Sequence, residues 1–246
     1  MRYFLFFLLA FNSAFLSAQE IISTDNGTLK IFPILHSSMV MEWKDQHILI
    51  DPYGGAELYQ GHPPGLILIT DIHGDHFDRE TLDGLSLSNT QIFAPAAVKK
   101  LMSDDMASIV TVVANGNTTS WNQVKVTGIP MYNLPETSDS RHPKGRGNGY
   151  VIEIDGIKIY ISGDTEDIPE MRNLKNIDIA FVCMNLPYTM DVAHAAEAVI
   201  AFEPLMVYPF HYRGGGGKFS DVEKFKSLVD AGGKGIDVRI RNWYSN

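Results

Sequence analysis

The sequence predicts an α/β fold in which two sheets pack face to face with helices outside, and three features carry that expectation. Apolar runs at 66–69, 157–161, 178–184 and 205–210 are short and rich in Ile, Val and Phe or Leu, as fully buried strands are. Strands in the first half follow one another, whereas strand and helix alternate later, a pattern that two packed sheets with outer helices satisfy. No low-complexity linker, internal repeat or charge block divides the chain, so residues 19–246 read as one domain.

Residues 1–18 read as a secretory signal peptide. Arg2 supplies the positive start, 4–11 the apolar stretch, and Ala18 a small residue before the expected cut. The apolar run is too short, and too interrupted by Asn12 and Ser13, for a comfortable span. The expectation is therefore an exported protein, periplasmic or secreted, with no stable membrane insertion once the signal is cleaved. No Cys lies near the cut to take a lipid.

Strands are expected at 28–43 and 47–51, joined by a turn at 44–46, with 35–38 interrupting the first. Asp78 can cap a short helix, 91–94 reads as a strand, and 95–102 as a helix with Pro95 in its first turn. Strands follow at 109–113 and 124–131, with Asn115-Gly116 as a turn and 118–120 as a polar connection. Residues 133–149, rich in Ser, Pro, Gly and Asn, read as a surface loop long enough to cover a site. Asp155-Gly156 between 150–154 and 157–161 is a strong hairpin signal. Thr189 is expected to cap a helix ending near Phe202, with His194 an ordinary surface residue. Ser220 and Glu223 suit a capping box for a last helix, and 238–240 a final edge strand.

Composition removes several functions. The chain has 246 residues, 45% of them hydrophobic, and a net charge of −9 from 20 basic and 29 acidic side chains. That balance opposes nucleic-acid binding through phosphates. Cys183 is the only cysteine, so neither an intrachain disulfide nor a thiolate metal cluster can form, and its apolar run makes it a small buried hydrophobe. The glycines at 214–217 do not make a phosphate loop, because the required first Gly is absent and Phe219 stands in place of Ser or Thr.

The chemistry gathers at strand ends. The run 66–70 stops, and Asp71, His73, Asp75 and His76 follow within six positions, with Gly74 allowing a tight turn. Sites in open α/β sheets lie outside the carboxyl ends of strands, and clustered His and carboxylate there is the signature of a metal site. Asp71 and His73, two apart, can point the same way, while Asp75 and His76 diverge and can face a second ion. Asp164 ends the strand at 157–161, behind Gly163, and His211 ends the strand at 205–210. Asp51, at the end of an apolar strand and before Pro52, suits either a carboxylate that orients a ligating His or a turn cap. His36 either lines the site or is a satisfied structural His.

These residues resemble the metallo-β-lactamase fold superfamily. Its signature His-x-His-x-Asp-His reads here Asp71-x-His73-x-Asp75-His76, residues 160–165 resemble the stretch with the bridging Asp, and 209–212 the final His motif. The match covers nearly the whole mature chain and is most similar to hydrolases related to ascorbate-6-phosphate lactonase. The resemblance implies a four-layer αββα sandwich with the site on one edge. Two departures stand out. Asp71 replaces the first His, which lowers the positive charge of the site and favours Mn²⁺ or Fe²⁺ alongside Zn²⁺. Asn133 follows the strand where a His is often found, so His142 in the loop is the substitute ligand, or else a mobile substrate contact, and Asn133 is a weak carbonyl ligand at most.

The assignment that follows is two divalent ions, Zn²⁺ first and Mn²⁺ or Fe²⁺ as alternatives. Asp71, His73 and His142 hold one, Asp75, His76 and His211 the other, and Asp164 bridges them. Two ions about 3.5–4 Å apart would share and activate a water, with Asp75 orienting it or receiving its proton. The absence of a Gly-x-Ser-x-Gly elbow fits such a reaction. The expected activity is hydrolysis of a small-molecule ester, lactone or phosphodiester, with His36, Lys144, Asn185 and Tyr188 as candidate substrate contacts. The rival expectation is a non-catalytic exported protein that keeps the fold and binds metal or ligand.

Overall fold

The computed structural model describes residues 19–137 and 139–244. The signal-peptide expectation falls on residues 1–18, outside the described residues. Among the described residues no helix is long and apolar enough to cross a membrane.

Two seven-stranded sheets stand face to face. The first runs in chain order through β1 (Glu20–Thr24), β2 (Gly27–Leu35), β3 (Ser38–Trp43), β4 (Gln46–Ile50), β5 (Pro64–Leu68), β6 (Gln91–Ala94) and β7 (Val110–Val112). The second runs through β8 (Thr118–Trp121), β9 (Val124–Met131), β10 (Gly147–Ile154), β11 (Ile157–Ile161), β12 (Ile179–Cys183), β13 (Met206–Phe210) and β14 (Asp237–Val238). Each sheet begins as an antiparallel meander of four strands and continues with parallel ones. The shared plan leaves no repeat legible in the sequence, because it is a repeat of strand direction and not of side chains.

Alternation decides what each face buries. Along β3, Met39, Met41 and Trp43 turn into the space between the sheets, where they join Tyr150, Ile152 and Ile154 of β10 in the larger core. Val40, on the other face, packs with Leu49, Ile67, Leu82 and Val98 in a separate outer core. That outer core lies beneath α1 (Arg79–Gly84), α2 (Ala96–Lys99) and α3 (Asp104–Ser108). The second sheet is covered by α4 (Pro169–Arg172), α5 (Val192–Phe202) and α6 (Val222–Ala231), whose Met171, Val199 and Phe225 are buried. The αββα sandwich is therefore what the chain forms.

Several local expectations need correcting. The long strand at 28–43 is a hairpin, β2 and β3, that turns at His36 and Ser37, where φ at His36 is +60°. The segment 118–120 is not a mere connection but β8, whose polar residues suit the sheet edge, since Thr118 pairs only with Thr127 of β9. β1 carried too little apolar alternation to stand out. The helix at 95–102 is only the single turn α2, with Pro95 as its N-cap. Asp191, not Thr189, caps α5 by accepting from the His194 amide, because Thr189 Oγ1 is committed to Asn185. Asp221, not Ser220, caps α6, and Ser220 Oγ donates to the Met184 carbonyl instead. Asp78 caps α1 as expected. The last strand is the shorter β14.

The two sheets are tied at both ends. Near the site, the Tyr150 hydroxyl donates to the Ile69 carbonyl (2.8 Å) and the Asn148 amide to the Thr70 carbonyl (2.9 Å). At the opposite end, Asp155 in the β10–β11 turn accepts from Asn26 and Thr24, joining the β1–β2 turn. The Asn26 and Thr24 hydrogen bonds hold the Asp155 carboxyl far below the ordinary carboxylate range. A depressed folded-state pKa makes this contribution complete above the unfolded value of about 3.9, and it fades as the pH falls from there through the folded value. Asp155→Ala should therefore lower the urea midpoint at neutral pH, and its deficit relative to wild type should shrink in acid; an equal deficit at both pH values would contradict the assignment.

Candidate metal centre

Parallel strands of both sheets end on one rim, and their ends carry the polar residues. After β5, Ile69 and Thr70 extend the buried run, and the chain then turns tightly. The amides of His76 (3.0 Å) and Phe77 (2.7 Å) both donate to the His73 carbonyl, and this turn sends His73 and His76 to different neighbours. His73 Nδ1 lies 2.8 Å from Asp71 Oδ2, while His76 Nε2 lies 3.4 Å from Asp164 Oδ2. Asp164 follows β11 behind Gly163, whose φ is +60° and whose backbone approaches the Asn148 carbonyl so closely that a Cβ would sit 2.8 Å from it. His211 follows β13.

The loop between β9 and β10 is not a free cover. Asn133 closes its neck: its amide donates to the His142 carbonyl (2.9 Å), and its Oδ1 accepts from the His142 amide (2.8 Å). The Asn133 carbonyl oxygen is thus occupied in positioning His142, which corrects the expectation of a weak ligand. His142 itself is fully buried, with Nε2 3.2 Å from Asp164 Oδ2 and 3.9 Å from Asp71 Oδ2.

Asp164 is where the groups converge. Its carboxylate, 4% exposed, meets His76, His142 and His211, the last at 3.1 Å from Oδ1 to Nε2. Two sets of donor atoms lie mutually within 4.8 Å: Asp71, His73 and His142, and His76, Asp164 and His211. A third joins His36, Asp75 and His211. Asp75 Oδ2 lies 3.3 Å from His36 Nε2 and 3.6 Å from His211 Nε2, and Oδ1 is 3.9 Å from His76 Nε2. Of the two partners expected from the sequence, Asp75 lies nearer His211 than His76, and nearest of all is His36.

Burial shapes the charges. It pushes the Asp164 carboxyl up, but His211, His76 and His142 more than reverse it and hold Asp164 well below the carboxylate range. Burial also pushes Asp75 up, and His76, His36 and His211 again bring it far down. For His76 burial works downward, yet Asp164, Asp51 and Asp75 raise it well above an ordinary imidazole. His36 is pulled to about 4, mainly by burial, so it is neutral near pH 7. Its Nδ1 lies 2.8 Å from the Tyr244 hydroxyl and its Nε2 faces Asp75. The consistent arrangement has Tyr244 donating to Nδ1 and His36 donating from Nε2, so His36 orients Asp75.

The donor set fits a cation. Both ring nitrogens of His142, Nδ1 of His211 and Oδ1 of Asp164 are buried without a hydrogen-bond partner, whereas nearly all buried polar groups are paired. Imidazole nitrogens and carboxylate oxygens are the donors that Zn²⁺ and its neighbours take.

Surrounding groups fix these ligands. His76 Nδ1 lies 2.8 Å from Asp51 Oδ2, and Asp51 is itself held by the Thr70 amide (2.8 Å) and hydroxyl (2.6 Å). That leaves His76 Nε2 for the site. His36, Asp51 and His211 all adopt positive φ (60°, 43° and 47°), a conformation uncommon for non-glycine residues and here met at three buried positions around the centre.

Two participants carried no legible signal. Arg146 grips Asp71 with both ends of its fork, Nη2 to Oδ2 at 2.8 Å and Nε to Oδ1 at 3.1 Å. Burial raises Asp71, but the His73 hydrogen bond, with His76, His73 and Arg146, brings it below the usual range. Tyr244 reaches His36 from the far end of the chain. Lys144, expected from its place in the loop to contact substrate, has its ammonium against Glu170 (3.1 Å), Glu136 and Tyr132, away from the donor cluster. Asn185 does reach the cluster, with Nδ2 3.5 Å from His211 Nε2. The Tyr188 ring lies under the Arg141 guanidinium, and its carbonyl accepts from Asn133, so it supports the loop neck. His194 is exposed, and Cys183 is buried with its thiol pushed up to about 12 by burial, as expected of an inert hydrophobe.

Because Asp51 fixes the ring of His76, Asp51→Ala should weaken metal binding about 10–100-fold with the fold retained. Equilibrium dialysis against a competing chelator, with circular dichroism as control, checks this.

Comparison with known proteins agrees with the geometry. A family model described as a beta-lactamase superfamily domain matches residues 31–211. A UPF0173 metal-dependent hydrolase of Thermococcus onnurineus is 32% identical over 193 residues, covering 75% of this chain and 85% of that one. A crystal structure from Parabacteroides distasonis, named as a candidate metal-dependent hydrolase, is 38% identical, with a TM-score of 0.80 over 91% of this chain and 98% of that chain. Igni18, a metallo hydrolase from Ignicoccus hospitalis, shares the fold at 22% identity, with a TM-score of 0.73 over 88% of this chain and 96% of that one. With its strand-end His and Asp clusters and two-sheet scaffold, the chain belongs to the metallo-β-lactamase superfamily, among its metal-dependent hydrolases.

Proposed function

We propose that the protein hydrolyses a small-molecule ester, lactone or phosphodiester with two divalent ions, Zn²⁺ foremost and Mn²⁺ or Fe²⁺ as alternatives. The observation that carries the reading is the contact of the buried Asp164 carboxylate with His76, His142 and His211, which makes it the shared member of adjoining donor sets. Asp71, His73 and His142 would hold one ion and His76 and His211 the other, with Asp164 between them. Bound there, the ions would lower the pKa of water towards neutrality and polarise the oxygen of the electrophile.

The remaining groups serve orientation. Asp75, 31% exposed and held by neutral His36, is placed to accept a hydrogen bond from the attacking water and so to orient it. Only His73 and Asp75, with Arg146 beside them, are open to solvent, whereas Asp71, His76, His142, Asp164 and His211 are buried. Substrate therefore enters over His73 and Asp75. Arg146 spends Nε and Nη2 on Asp71, but its remaining guanidinium nitrogen stands at that mouth, where a donor suits a carboxylate, a lactone bearing an anionic group, or a phosphodiester. Asn185 is placed beside His211 to contact substrate. Export, read from residues 1–18, would put this activity in the periplasm or outside the cell. A non-catalytic binder is the weaker reading, since the relatives are named as hydrolases.

Elemental analysis of the purified chain, with turnover of a lactone, a nitrophenyl ester and bis-nitrophenyl phosphate, tests the proposal. Chelation should abolish turnover, and Zn²⁺ or Mn²⁺ should restore it. Asp164→Ala should lower turnover by at least about 100-fold, the upper range for loss of an outer-shell partner. Turnover that survives removal of metal would overturn the reading.

A further inference from the structure

A second group of metal-type donors lies on the outer face of the first sheet. Glu42 of β3 and His47 of β4 are directly opposite in the antiparallel register. Their neighbours Val40 and Leu49, two positions away, belong to the outer core, so both side chains turn away from the second sheet. His62 comes from the segment just before β5, and its ring packs on Phe32 (4.7 Å between centroids) and edge-on against His47 (5.1 Å, 82°). One donor atom from each of the three lies within 4.8 Å of the others. The place is remote from the centre described above. His47 is the second residue of β4 and Asp51 follows the strand's end, four residues or about 13 Å further along.

Proton positions leave lone pairs facing one another. His47 Nδ1 lies 3.1 Å from the Pro63 carbonyl, which can only accept, so Nδ1 carries the hydrogen and a neutral ring presents a lone pair at Nε2. That atom lies 3.7 Å from Glu42 Oε2, another acceptor. His62 Nδ1 is buried and has no hydrogen-bond partner. The other Glu42 oxygen is anchored by Lys30 Nζ at 2.6 Å, which fixes the carboxylate as an outer partner fixes a ligand. Donors at 2.0–2.2 Å in tetrahedral array stand about 3.4 Å apart, near the 3.7 Å between His47 Nε2 and Glu42 Oε2, and His62 brings its donor within 4.8 Å of both.

We propose that Glu42, His47 and His62 form an additional Zn²⁺ site, a two-His, one-Glu set with its fourth position left to water. Such a set suits zinc and its neighbours among the transition metals and not Mg²⁺ or Ca²⁺, which require an oxygen shell. The ion would join the β3–β4 hairpin to the segment entering β5 and stabilise the folded chain by mass action.

The test uses the full chain and Zn²⁺ alone. After dialysis against buffered Zn²⁺, wild type should hold one equivalent more than His62→Ala, while Asp164→Ala should keep that equivalent. His62→Ala should retain its circular dichroism and its turnover. In wild type, Co²⁺ should broaden the ring signals of His47 and His62 in the nuclear magnetic resonance spectrum, a measurement that requires no variant to fold. Equal stoichiometry in wild type and a folded His62→Ala, or ring signals of His47 and His62 that Co²⁺ leaves sharp at saturation, would overturn the proposal.

Discussion

A carboxylate removed from water is the constraint on which the rest of this structure turns. Asp164 is 3% exposed, and an isolated charge so buried would neutralise or unfold the chain. It remains ionised because imidazoles from three separate segments face it. Each of those rings needs a fixed orientation, and each gets it differently. His76 leans on Asp51 and Thr70, His142 is drawn inward by the Asn133 neck, and His211 is locked to the β2–β3 turn through its amide and the His36 carbonyl. The centre is thus assembled from parts that are each weak alone.

The scaffold supplies the rigidity. Both sheets change from antiparallel to parallel halfway across, and the parallel strands deliver their carboxyl ends to one rim. The bonds from Tyr150 to Ile69 and from Asn148 to Thr70 hold the two rims in register beneath the donors. Positive φ at His36, Asp51 and His211 stores strain that an isolated loop would relax; here the flanking strands enforce it. Arg146 tempers Asp71. A carboxylate that replaces an imidazole adds a negative charge, and the bidentate guanidinium offsets it without displacing the ligand set.

Strands, hairpin and motif were legible in the sequence because each is local. The apolar runs at β5, β11, β12 and β13, the Asp155-Gly156 turn and the cluster at 71–76 depend on residues within a few positions of one another. The caps were less legible. Thr189 and Ser220 have the right chemistry, but tertiary partners, Asn185 and the Met184 carbonyl, claimed their hydroxyls, leaving the role to Asp191 and Asp221. β8 escaped notice because an edge strand needs little apolar alternation.

By itself, the sequence determined which side chains could ligate and which strand ends would carry them, since type and order are covalent facts. Only the tertiary structure decided that Asp75 belongs with His36, that Arg146 and not Lys144 reaches the centre, and that Tyr244 returns to hold His36. Those choices depend on distances between residues up to 208 positions apart, which packing of the two sheets sets and no local pattern encodes.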